Sequence, residues 1–404
     1  MLWDRSLVEI DARLYAVASL IARAVWALTA LCLVALLPAA EYGQYAFAQI
    51  LAGLTSQVIL GNFGNIVSSR IAALDIHKRP AALLAAIGYG AALTVLAVAL
   101  GLGTDFFSIT SFGSGPVTIA GLWVFAGHIA VMQLGYLLAG KHYGQAATVS
   151  ALQPIVYLLL ISGLPSTSGQ TLGLYAAIAT GLPSALSMLP LLLKPETADL
   201  ARGIWQSIID DHRHSAIMNL ASLPGSVALL LVANELAAHD DPTQLAIYGL
   251  ANQVVGLFFF LPITVGGLAI PQLTRADTLT KRNVVRRLSL TLMLVSAICA
   301  VGFLSTAELP FVPQLFEQGK FEIALAFLLA GLSTARSPQV WVNQIERQSR
   351  KESASLLINA IFIAAILLLS PITAMLALTF RTAGAAASLV ISSILARSTG
   401  GPYD

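Results

Sequence analysis

The feature that most restricts the fold of this chain is a succession of long apolar segments that recurs from one end to the other. Each segment is close to the ~20 residues that an α-helix needs to cross the hydrocarbon core of a bilayer. Only 10% of the 404 residues are charged, whereas soluble domains carry roughly 25% charged residues. The sequence therefore predicts a polytopic membrane protein and excludes an ordinary soluble globular protein.

The apolar segments predict twelve membrane-spanning helices. A helix satisfies its own backbone hydrogen bonds, which an isolated strand in lipid cannot do. The first six predicted spans are residues 14–38, 43–69, 81–103, 115–140, 147–164 and 170–193. The second six are residues 214–238, 244–271, 286–306, 321–341, 353–370 and 372–396. The predicted fold class is an all-α polytopic membrane protein.

Basic residues alternate between the predicted loops. The loops on one side carry almost all of the Lys and Arg, whereas the loops on the other side carry Lys320 alone, together with acids such as Asp105 and Glu308. Cytoplasmic loops of membrane proteins carry an excess of Lys and Arg. Both termini are therefore predicted to be cytoplasmic.

One short phrase occurs twice in the chain. Residues 41–54 read EYGQYAFAQILAGL, and residues 245–257 read LAIYGLANQVVGL. The two copies share five aligned positions, which are Tyr45 with Tyr248, Ala48 with Ala251, Gln49 with Asn252, Gly53 with Gly256 and Leu54 with Leu257. The two phrases open the second and the eighth predicted span. They therefore occupy the same place in each half of the chain.

The repeated phrase predicts two lobes of six helices each. The longest hydrophilic connection, residues 194–214, falls between the sixth and seventh spans and separates residues 1–197 from residues 198–404. Parallel repeats of this kind are common in transporters, which bind substrate between the repeats. Chance similarity between two apolar segments is the alternative. The glycines of the phrase, Gly53 and Gly256, are predicted to permit close helix packing.

Residues 36–72 resemble the polysaccharide and oligosaccharide flippases, a family of the superfamily that also holds the lipid II flippases and the multidrug MATE exporters. The resemblance lies in a Tyr-Gly pair at Tyr42 and Gly43, in Tyr45, and in a helix that ends at Ser69-Arg70. Residues 247–276 are similar to the eighth helix of that family, and residues 310–332 are similar to the entry into its tenth helix.

The resemblance implies two bundles around a V-shaped, MATE-like central cavity that opens alternately to the two sides of the membrane. In the polysaccharide branch the cargo is a polyprenyl-pyrophosphate-linked oligosaccharide, whose sugar crosses through the cavity while its tail stays in lipid. A wet path matters because an unpaired sugar hydroxyl in hydrocarbon costs several kcal/mol.

The resemblance also implies a non-enzymatic transporter of the bacterial inner membrane that serves O-antigen or exopolysaccharide synthesis. The expected partners are the lipid-linked oligosaccharide and membrane lipids. Whether a polysaccharide polymerase is also a partner stays open. No cofactor, metal, catalytic residue or nucleic acid is expected.

Arg23 is a charged residue inside the first predicted span. It lies ten residues beyond Arg13, which is ~15 Å at 1.5 Å per residue. An arginine that faces lipid at this depth costs at least a few kcal/mol. Because a guanidinium matches phosphate oxygens in a two-point fork, Arg23 is predicted to contact the pyrophosphate of the cargo. The alternative is an arginine that snorkels to the cytoplasmic headgroups or holds helix ends together.

Arg381 is the second candidate of this kind. It lies ten residues after Pro371, so a twelfth span that starts there places Arg381 inside the membrane. A longer eleventh span would place it in an outer loop instead. The sequence leaves both positions open.

Amides and hydroxyls in three spans are predicted to bind the sugar, because each of these groups can both donate and accept hydrogen bonds. The candidates are Asn62 and Asn65 in the second span, Asn219, Ser222, Ser226 and Asn234 in the seventh, and Asn252 and Gln253 in the eighth. The same side chains could instead hold neighbouring helices together. His128 could titrate or serve as a packing residue.

Three other functions are weighed against this prediction. A MATE-type cation exporter needs carboxylates inside its helices, whereas the charges predicted inside these spans are arginines, which favour anions. A lipid II flippase typically has two further helices, whereas this chain ends shortly after its twelfth predicted span. A glycan polymerase or glycosyltransferase needs large outer loops or acid clusters, which the sequence lacks.

Overall fold

The computed structural model describes most of the chain as helix. The described residues are 10–60, 63, 67, 70–71, 73–103, 115–163, 168–192, 195–238, 242–307, 313–345, 349–369 and 371–397. Every regular element in this part of the chain is a helix, which confirms the predicted all-α class.

Between residues 79 and 192, the described helices follow the predicted spans closely. The helices of the first half are α1 (Ile10–Leu36), α2 (Ala39–Ile59), α3 (Arg79–Gly103), α4 (Gly115–Ala139), α5 (Tyr143–Gly163) and α6 (Gly169–Leu192). They continue with α7 (Pro195–Ala238), α8 (Pro242–Arg275), α9 (Thr278–Thr306), α10 (Gln314–Gln318), α11 (Lys320–Ala335), α12 (Ser337–Ile345), α13 (Ser349–Ala365) and α14 (Ala374–Arg397). A 3₁₀ turn, Ile366–Leu368, extends α13.

Seven of the described helices are long and apolar enough to cross a membrane. They are Arg79–Ala99, Gly115–Ala139, Tyr143–Gly163, Gly169–Leu191, Thr278–Thr306, Lys320–Asn343 and Ala374–Leu395. Three shorter apolar helices are Leu14–Trp26, Leu223–Ala238 and Ser353–Leu368. The chain is therefore a multi-pass membrane protein, and the exact number of twelve spans is not confirmed.

The hydrophilic segment 194–214 was predicted to be a connection between two spans, but the structure shows a helix there. Nearly all of it forms the first part of α7, a single helix of 44 residues, so the predicted start of the seventh span at residue 214 is wrong as a helix boundary. The apolar residues Ala201 and Ile208 are seven positions apart and buried, whereas Arg202 is exposed. This amphipathic spacing favours a helix that lies against other elements.

Two polar side chains, Asp211 and His212, hold the first part of α7 in place. The Arg70 guanidinium forms a two-point ion pair with the Asp211 carboxylate, and this pairing raises the pKa of Arg70. His212 bridges two further elements, with Nδ1 3.0 Å from the Tyr89 hydroxyl and Nε2 2.9 Å from the Ile59 carbonyl oxygen. The polar residues that suggested a loop therefore anchor a helix.

The chain divides into two compact units. The first comprises Met1–Thr29 and Phe47–Asn219, and the second comprises Ala30–Ala46 and Leu220–Asp404. The predicted division into residues 1–197 and 198–404 stays a prediction.

In the first unit, α4 packs against α3 and α6. His128 on α4 is buried, its Nε2 lies 3.0 Å from the Ala86 carbonyl oxygen, and its ring stacks on Phe63. A Cβ at Gly90 on α3 would overlap with this imidazole, so the glycine makes room for it. Of the two roles that the sequence left open for His128, the structure therefore supports packing.

In the second unit, α11 is the central helix and packs against α8, α9 and α14. Ser296 of α9 donates a hydrogen bond to the Phe327 carbonyl of α11. A similar device joins α13 to α14, where the buried hydroxyls of Ser355 and Ser388 lie 2.6 Å apart and each donates to the backbone carbonyl of the other residue. Hydroxyls thus join neighbouring apolar helices, as expected where lipid gives no hydrophobic drive.

Candidate functional site

Arg381 lies inside a helix and not in a loop. It is the eighth residue of α14, about 10 Å along the axis from the start of the helix at 1.5 Å per residue. The surrounding stretch Ala374–Leu395 is one of the seven helices apolar enough to cross a membrane. The structure therefore decides between the two positions that the sequence left open.

One nitrogen of the Arg381 guanidinium is held by two side chains of α8. Nη1 donates to Oδ1 of Asn252 at 2.6 Å and to the hydroxyl of Tyr248 at 3.1 Å. The guanidinium carbon also lies 5.5 Å from the centre of the Tyr248 ring, a distance at which a cation is attracted by the ring face. These contacts fix the orientation of the Arg381 guanidinium group.

The other edge of the same guanidinium has a different environment. Among the described residues, none accepts a hydrogen bond from Nε or Nη2 of Arg381, and the side chain is only partly buried. The Nε–Nη2 edge presents two parallel donors, the arrangement that binds a carboxylate or a phosphate in a fork. The held nitrogen therefore orients an edge that is suited to an oxyanion.

The contacts between α8 and α14 form a ladder at helical spacing. Gln244, Tyr248 and Asn252 follow one another at intervals of four residues on one face of α8. Gln244 Oε1 accepts a hydrogen bond from the backbone N–H of Ala374 at 3.0 Å, at the first turn of α14. The two helices are thus joined at two places along α14. One is at its first residue, Ala374, and the other is about two turns further along, at Arg381.

Asn252 uses both ends of its amide within the protein. Its Oδ1 accepts from Arg381, and its Nδ2 donates to the Tyr248 backbone carbonyl at 2.8 Å. These bonds support a role in positioning Arg381. A direct contact between Asn252 and the cargo stays a prediction.

Arg23 lies in α1 between two aromatic contacts with α5. Tyr15 meets Tyr143 with ring centres 6.5 Å apart, and Trp26 stacks on Tyr157 at 4.8 Å. The Arg23 side chain is partly buried, one turn after the buried Ser19, which lies in this same stretch of helix. Arg23 belongs to the first unit, whereas Arg381 belongs to the second.

The predicted sugar ligands of the seventh span all lie in α7. Ser226 is buried, and the Asn234 Oδ1 is buried without a hydrogen bond from any described residue. The side chains of Asn219 and Ser222 lie outside what the structure describes, although their backbone is helical.

The remaining candidates are Gln253, Asn62 and Asn65. Gln253 on α8 is buried. Asn62 and Asn65 lie outside the described residues. The sugar-binding role of each of these residues stays a prediction.

The sequence did not indicate roles for Tyr248 and Gln244 at this site. Tyr248 stood out only as a shared position of the repeated phrase, yet the residue is 1% exposed and its hydroxyl binds Arg381. A signal was present in the spacing, since Gln244, Tyr248 and Asn252 recur every four residues and so share a helix face.

The predicted role of Gly53 and Gly256 in close packing is wrong. Both residues are exposed, and a Cβ at either position would meet nothing within 4 Å. The close approach involves Gly249 instead, where an added Cβ would overlap with that of Ala46 on α2. Both partners belong to the second unit.

No family model matches the sequence. The EPS I polysaccharide export inner membrane protein EpsE of Ralstonia solanacearum is 25% identical to the chain over 232 residues. The match covers 54% of this chain and 53% of that protein, so the chain spans about half the length of the curated relative it matches.

The fold is similar to that of several solved transporters. The lipid II flippase MurJ in an inward closed conformation superposes with a TM-score of 0.70 at 10% identity, over 95% of this chain and 87% of that one. A MATE transporter in complex with MaD3S gives 0.63 at 12% identity, over 96% and 95% of the two chains. The chain therefore has the MATE-like fold that its sequence predicts.

A third structure has the same fold and a different binding pocket. It is a MOP superfamily transporter from Pyrococcus furiosus, described as having a binding pocket of reverse polarity, with a TM-score of 0.51 at 13% identity over 96% of this chain and 95% of that one. The fold alone therefore does not fix the sign of the charge that a member binds, and the choice of cargo rests on the residues of the site.

Proposed function

We propose that this protein is a flippase that moves a polyprenyl-pyrophosphate-linked oligosaccharide from the cytoplasmic to the outer leaflet by alternating access, for cell-surface polysaccharide synthesis. Two comparisons support the proposal. The fold is that of a lipid II flippase and of MATE transporters, and the curated relative is a polysaccharide export protein of the inner membrane.

The observation that carries the proposal is the oriented guanidinium of Arg381. A charge within an apolar span costs at least a few kcal/mol, so such residues are usually functional. Here Tyr248 and Asn252 offset part of that cost through one nitrogen. The Nε–Nη2 edge then binds one phosphate of the cargo in a two-point fork.

The proposal also assigns cargo contacts to Arg23 and to the polar residues that the sequence selected. Arg23 contributes a second positive charge for the pyrophosphate, and amides and hydroxyls bind the sugar. The sugar ligands in this proposal are Asn62, Asn65, Asn219, Ser222, Ser226, Asn234 and Gln253. Asn252 positions Arg381.

The membrane placement follows the same reasoning. We infer an inner-membrane location from the curated relative and cytoplasmic termini from the basic loops. No catalytic step is assigned to the chain, and a polysaccharide polymerase is a proposed partner that would consume the product at the outer leaflet.

A lipid II flippase is a second candidate, favoured by the MurJ superposition. Its cargo is also an anionic polyprenyl pyrophosphate, so it would use Arg381 in the same way. The two candidates differ in the headgroup that the pyrophosphate carries, and transport measured with both lipid-linked cargoes separates them. A MATE-type cation exporter is opposed by the positive charge of Arg381.

The test uses the purified full-length protein in proteoliposomes that contain a polyprenyl-diphosphate-linked saccharide with a dithionite-quenchable fluorophore on its sugar. Dithionite quenches only the outer leaflet, so transport appears as quenching beyond that pool. We expect Arg381→Gln to slow this phase by roughly 10- to 100-fold, because one charged hydrogen bond contributes about 1.5–3 kcal/mol. Arg381→Lys keeps the charge and loses the fork, and we expect an intermediate rate.

The matched control is Arg202→Gln, which removes an exposed arginine from the first part of α7. It is expected to transport as the wild type does. Quenching by the wild-type protein no greater than in protein-free vesicles would refute the proposed function. Equal rates for wild type and Arg381→Gln, at equal reconstitution and equal Tm, would remove Arg381 from the mechanism.

A further inference from the structure

The helix α9 is the least buried of the seven described helices that are long and apolar enough to cross a membrane. Only 11% of the residues in its most apolar stretch are buried, against 22% to 50% in the other six. It is also the most apolar of them, with a mean hydropathy of 2.2 over that stretch. One side of α9 therefore needs an apolar occupant.

The two sides of α9 have different environments. One side packs against α11, where Ser289 donates to the Ala335 carbonyl at 2.5 Å and Ser296 donates to the Phe327 carbonyl. The open side carries apolar residues at spacings of four, four and three, each more than half exposed. They are Leu290 at 57%, Leu294 at 62%, Ile298 at 62% and Val301 at 65%.

A basic cluster marks one end of this open side. Arg286 and Arg287 precede Leu290 by four and three residues, so both lie on its face of the helix. Both are exposed, as is Arg282 one turn earlier. Helical side chains lean towards the N-terminus, so these guanidiniums extend away from the apolar residues towards the start of α9.

No carboxylate neutralises this cluster within the part of the chain that the structure describes. The nearest acid in the sequence is Asp277, whose Oδ1 accepts a hydrogen bond from the Thr280 backbone N–H at 2.7 Å and caps α9. Hydrogen bonds from the side chain and the backbone of Thr280 hold the pKa of this carboxyl below its usual range. Three positive charges therefore stand at the end of an open apolar face.

We propose that this face is a binding site for an anionic glycerophospholipid. The phosphodiester accepts hydrogen bonds from Arg286 and Arg287, and an acyl chain lies along Leu290, Leu294 and Ile298. A headgroup with net negative charge satisfies the arginines, which a zwitterionic headgroup does less well because its own cation competes for the phosphate. The site does not depend on the proposed transport function.

Charge also argues against a second copy of the chain as the occupant. Two copies in one membrane pair about an axis along the membrane normal, so an interface of this face with itself would bring both arginine clusters to the same depth. Like charges that face each other across an interface oppose association. An anionic lipid is attracted by the same charges.

The test measures which lipids remain bound to the protein. The purified full-length protein is placed in nanodiscs of equal phosphatidylglycerol and phosphatidylcholine, released in the mass spectrometer, and its retained lipids are counted by mass. We expect phosphatidylglycerol to be retained in excess over phosphatidylcholine. Each arginine at an anionic surface contributes about fivefold, so Arg286→Gln and Arg287→Gln should each reduce the excess by about that factor.

The controls separate charge from fold. A double substitution to lysine at these two positions keeps the charge and should keep most of the excess, whereas Arg202→Gln on α7 should keep all of it. Equal retention of the two lipids by the wild-type protein would overturn the proposal, and this measurement needs no variant. An unchanged excess in both glutamine variants would overturn it as well.

One further outcome assigns the face to the cargo. If a small amount of polyprenyl diphosphate displaced phosphatidylglycerol from the wild type but failed to bind the Arg286→Gln protein, the face would be a cargo-loading site and the phospholipid proposal would be wrong. Retention of phosphatidylglycerol in the presence of that competitor supports the proposal as stated.

Discussion

The two copies of the repeated phrase, on α2 and α8, are alike in burial and different in what they contact. Tyr45 and Tyr248 each lie six residues after the start of their helix and are 0% and 1% exposed. The other pairs also match, since the alanines are buried, the amides and leucines are partly buried, and the glycines are exposed.

The difference lies in the helix that each copy contacts. In the second copy, Tyr248 and Asn252 hold Arg381 of α14. In the first copy, Ala48 faces Gly173 of α6, where an added Cβ would lie 3.9 Å from the alanine Cβ. The helix α6 contains no charged residue along its length, so this contact is apolar.

This comparison separates the residues that build the bundle from the residues that we propose bind the cargo. The burial pattern is common to both copies because each must place one face of a helix among its neighbours. The contact with Arg381 belongs to the second copy, which fits the binding role that we propose for this arginine. Substitutions at matched positions of the two copies test this separation.

The largest effect is expected from placing an arginine on α6, the helix that the first copy contacts. Ala176 is the eighth residue of α6, as Arg381 is of α14, and it is fully buried. Ala176→Arg would bury a charge without the Tyr–Asn pair that holds Arg381, which costs about 3–5 kcal/mol. We expect loss of folded protein, measured as yield and Tm in detergent, whereas Ala176→Ser should fold normally.

A folded Ala176→Arg protein with an unchanged Tm would show that the two copies tolerate charge equally. The proposed asymmetry between them would then have no structural basis.

The next effect concerns the amides of the phrase. Asn252→Leu removes the acceptor of the 2.6 Å bond from Arg381, and we expect transport in the dithionite assay to fall by roughly 10-fold or more, because a hydrogen bond to a charged group contributes about 1.5–3 kcal/mol. Gln49→Leu at the matched position should change transport little.

A carboxylate at position 252 tests positioning directly. Asn252→Asp keeps the acceptor but neutralises Arg381, so the Tm should be maintained while transport falls. Full transport by this variant would contradict the binding of an anion by Arg381.

A smaller effect is expected from the glycines. Gly249→Ala forces its Cβ against that of Ala46, and overpacking of this kind costs about 1–3 kcal/mol. Gly256→Ala enters open space and should raise stability by up to about 1 kcal/mol, because alanine favours the helix. Thermal unfolding of the two variants in the same detergent checks the difference, and equal Tm values would contradict the close approach at Gly249.

The smallest effect is expected from the tyrosine hydroxyls. Tyr248→Phe removes one 3.1 Å bond to Arg381 and keeps the ring beneath the guanidinium. A neutral hydrogen bond contributes about 0.5–1.5 kcal/mol, so transport should fall about threefold. Tyr45→Phe should leave transport unchanged, and an equal loss in both variants would show that the hydroxyls act on folding alone.

Much of the fold could be predicted because helix formation in a membrane depends on local properties of the sequence. The apolar lengths placed α3 to α6 within a few residues of their observed bounds. The first part of α7 was missed because polar composition alone does not distinguish a loop from an amphipathic helix. The burial of Ala201 and Ile208 and the ion pair between Arg70 and Asp211 depend on segments far away in the chain.

The candidate site was predictable only in part. The sequence selected Arg381 because an intramembrane charge is costly, and it selected Asn252 because an amide can bind a sugar. It could not show that the two residues meet, since they are 129 positions apart. The presence of a glycine does not show which face of a helix is in close contact with a neighbour. The prediction of close packing at Gly53 and Gly256 was wrong for that reason.

The sequence by itself determined that this chain lies in a membrane, where its helices run, and that one phrase opens two corresponding helices, because length, hydropathy and repetition are read along the chain. Only the tertiary structure decided that Tyr248 and Asn252 hold one nitrogen of Arg381, with no hydrogen bond from the opposite edge to any described residue. The reason is physical: the partners of a charge in an apolar span are set by which helix faces pack together, and that packing depends on the whole fold.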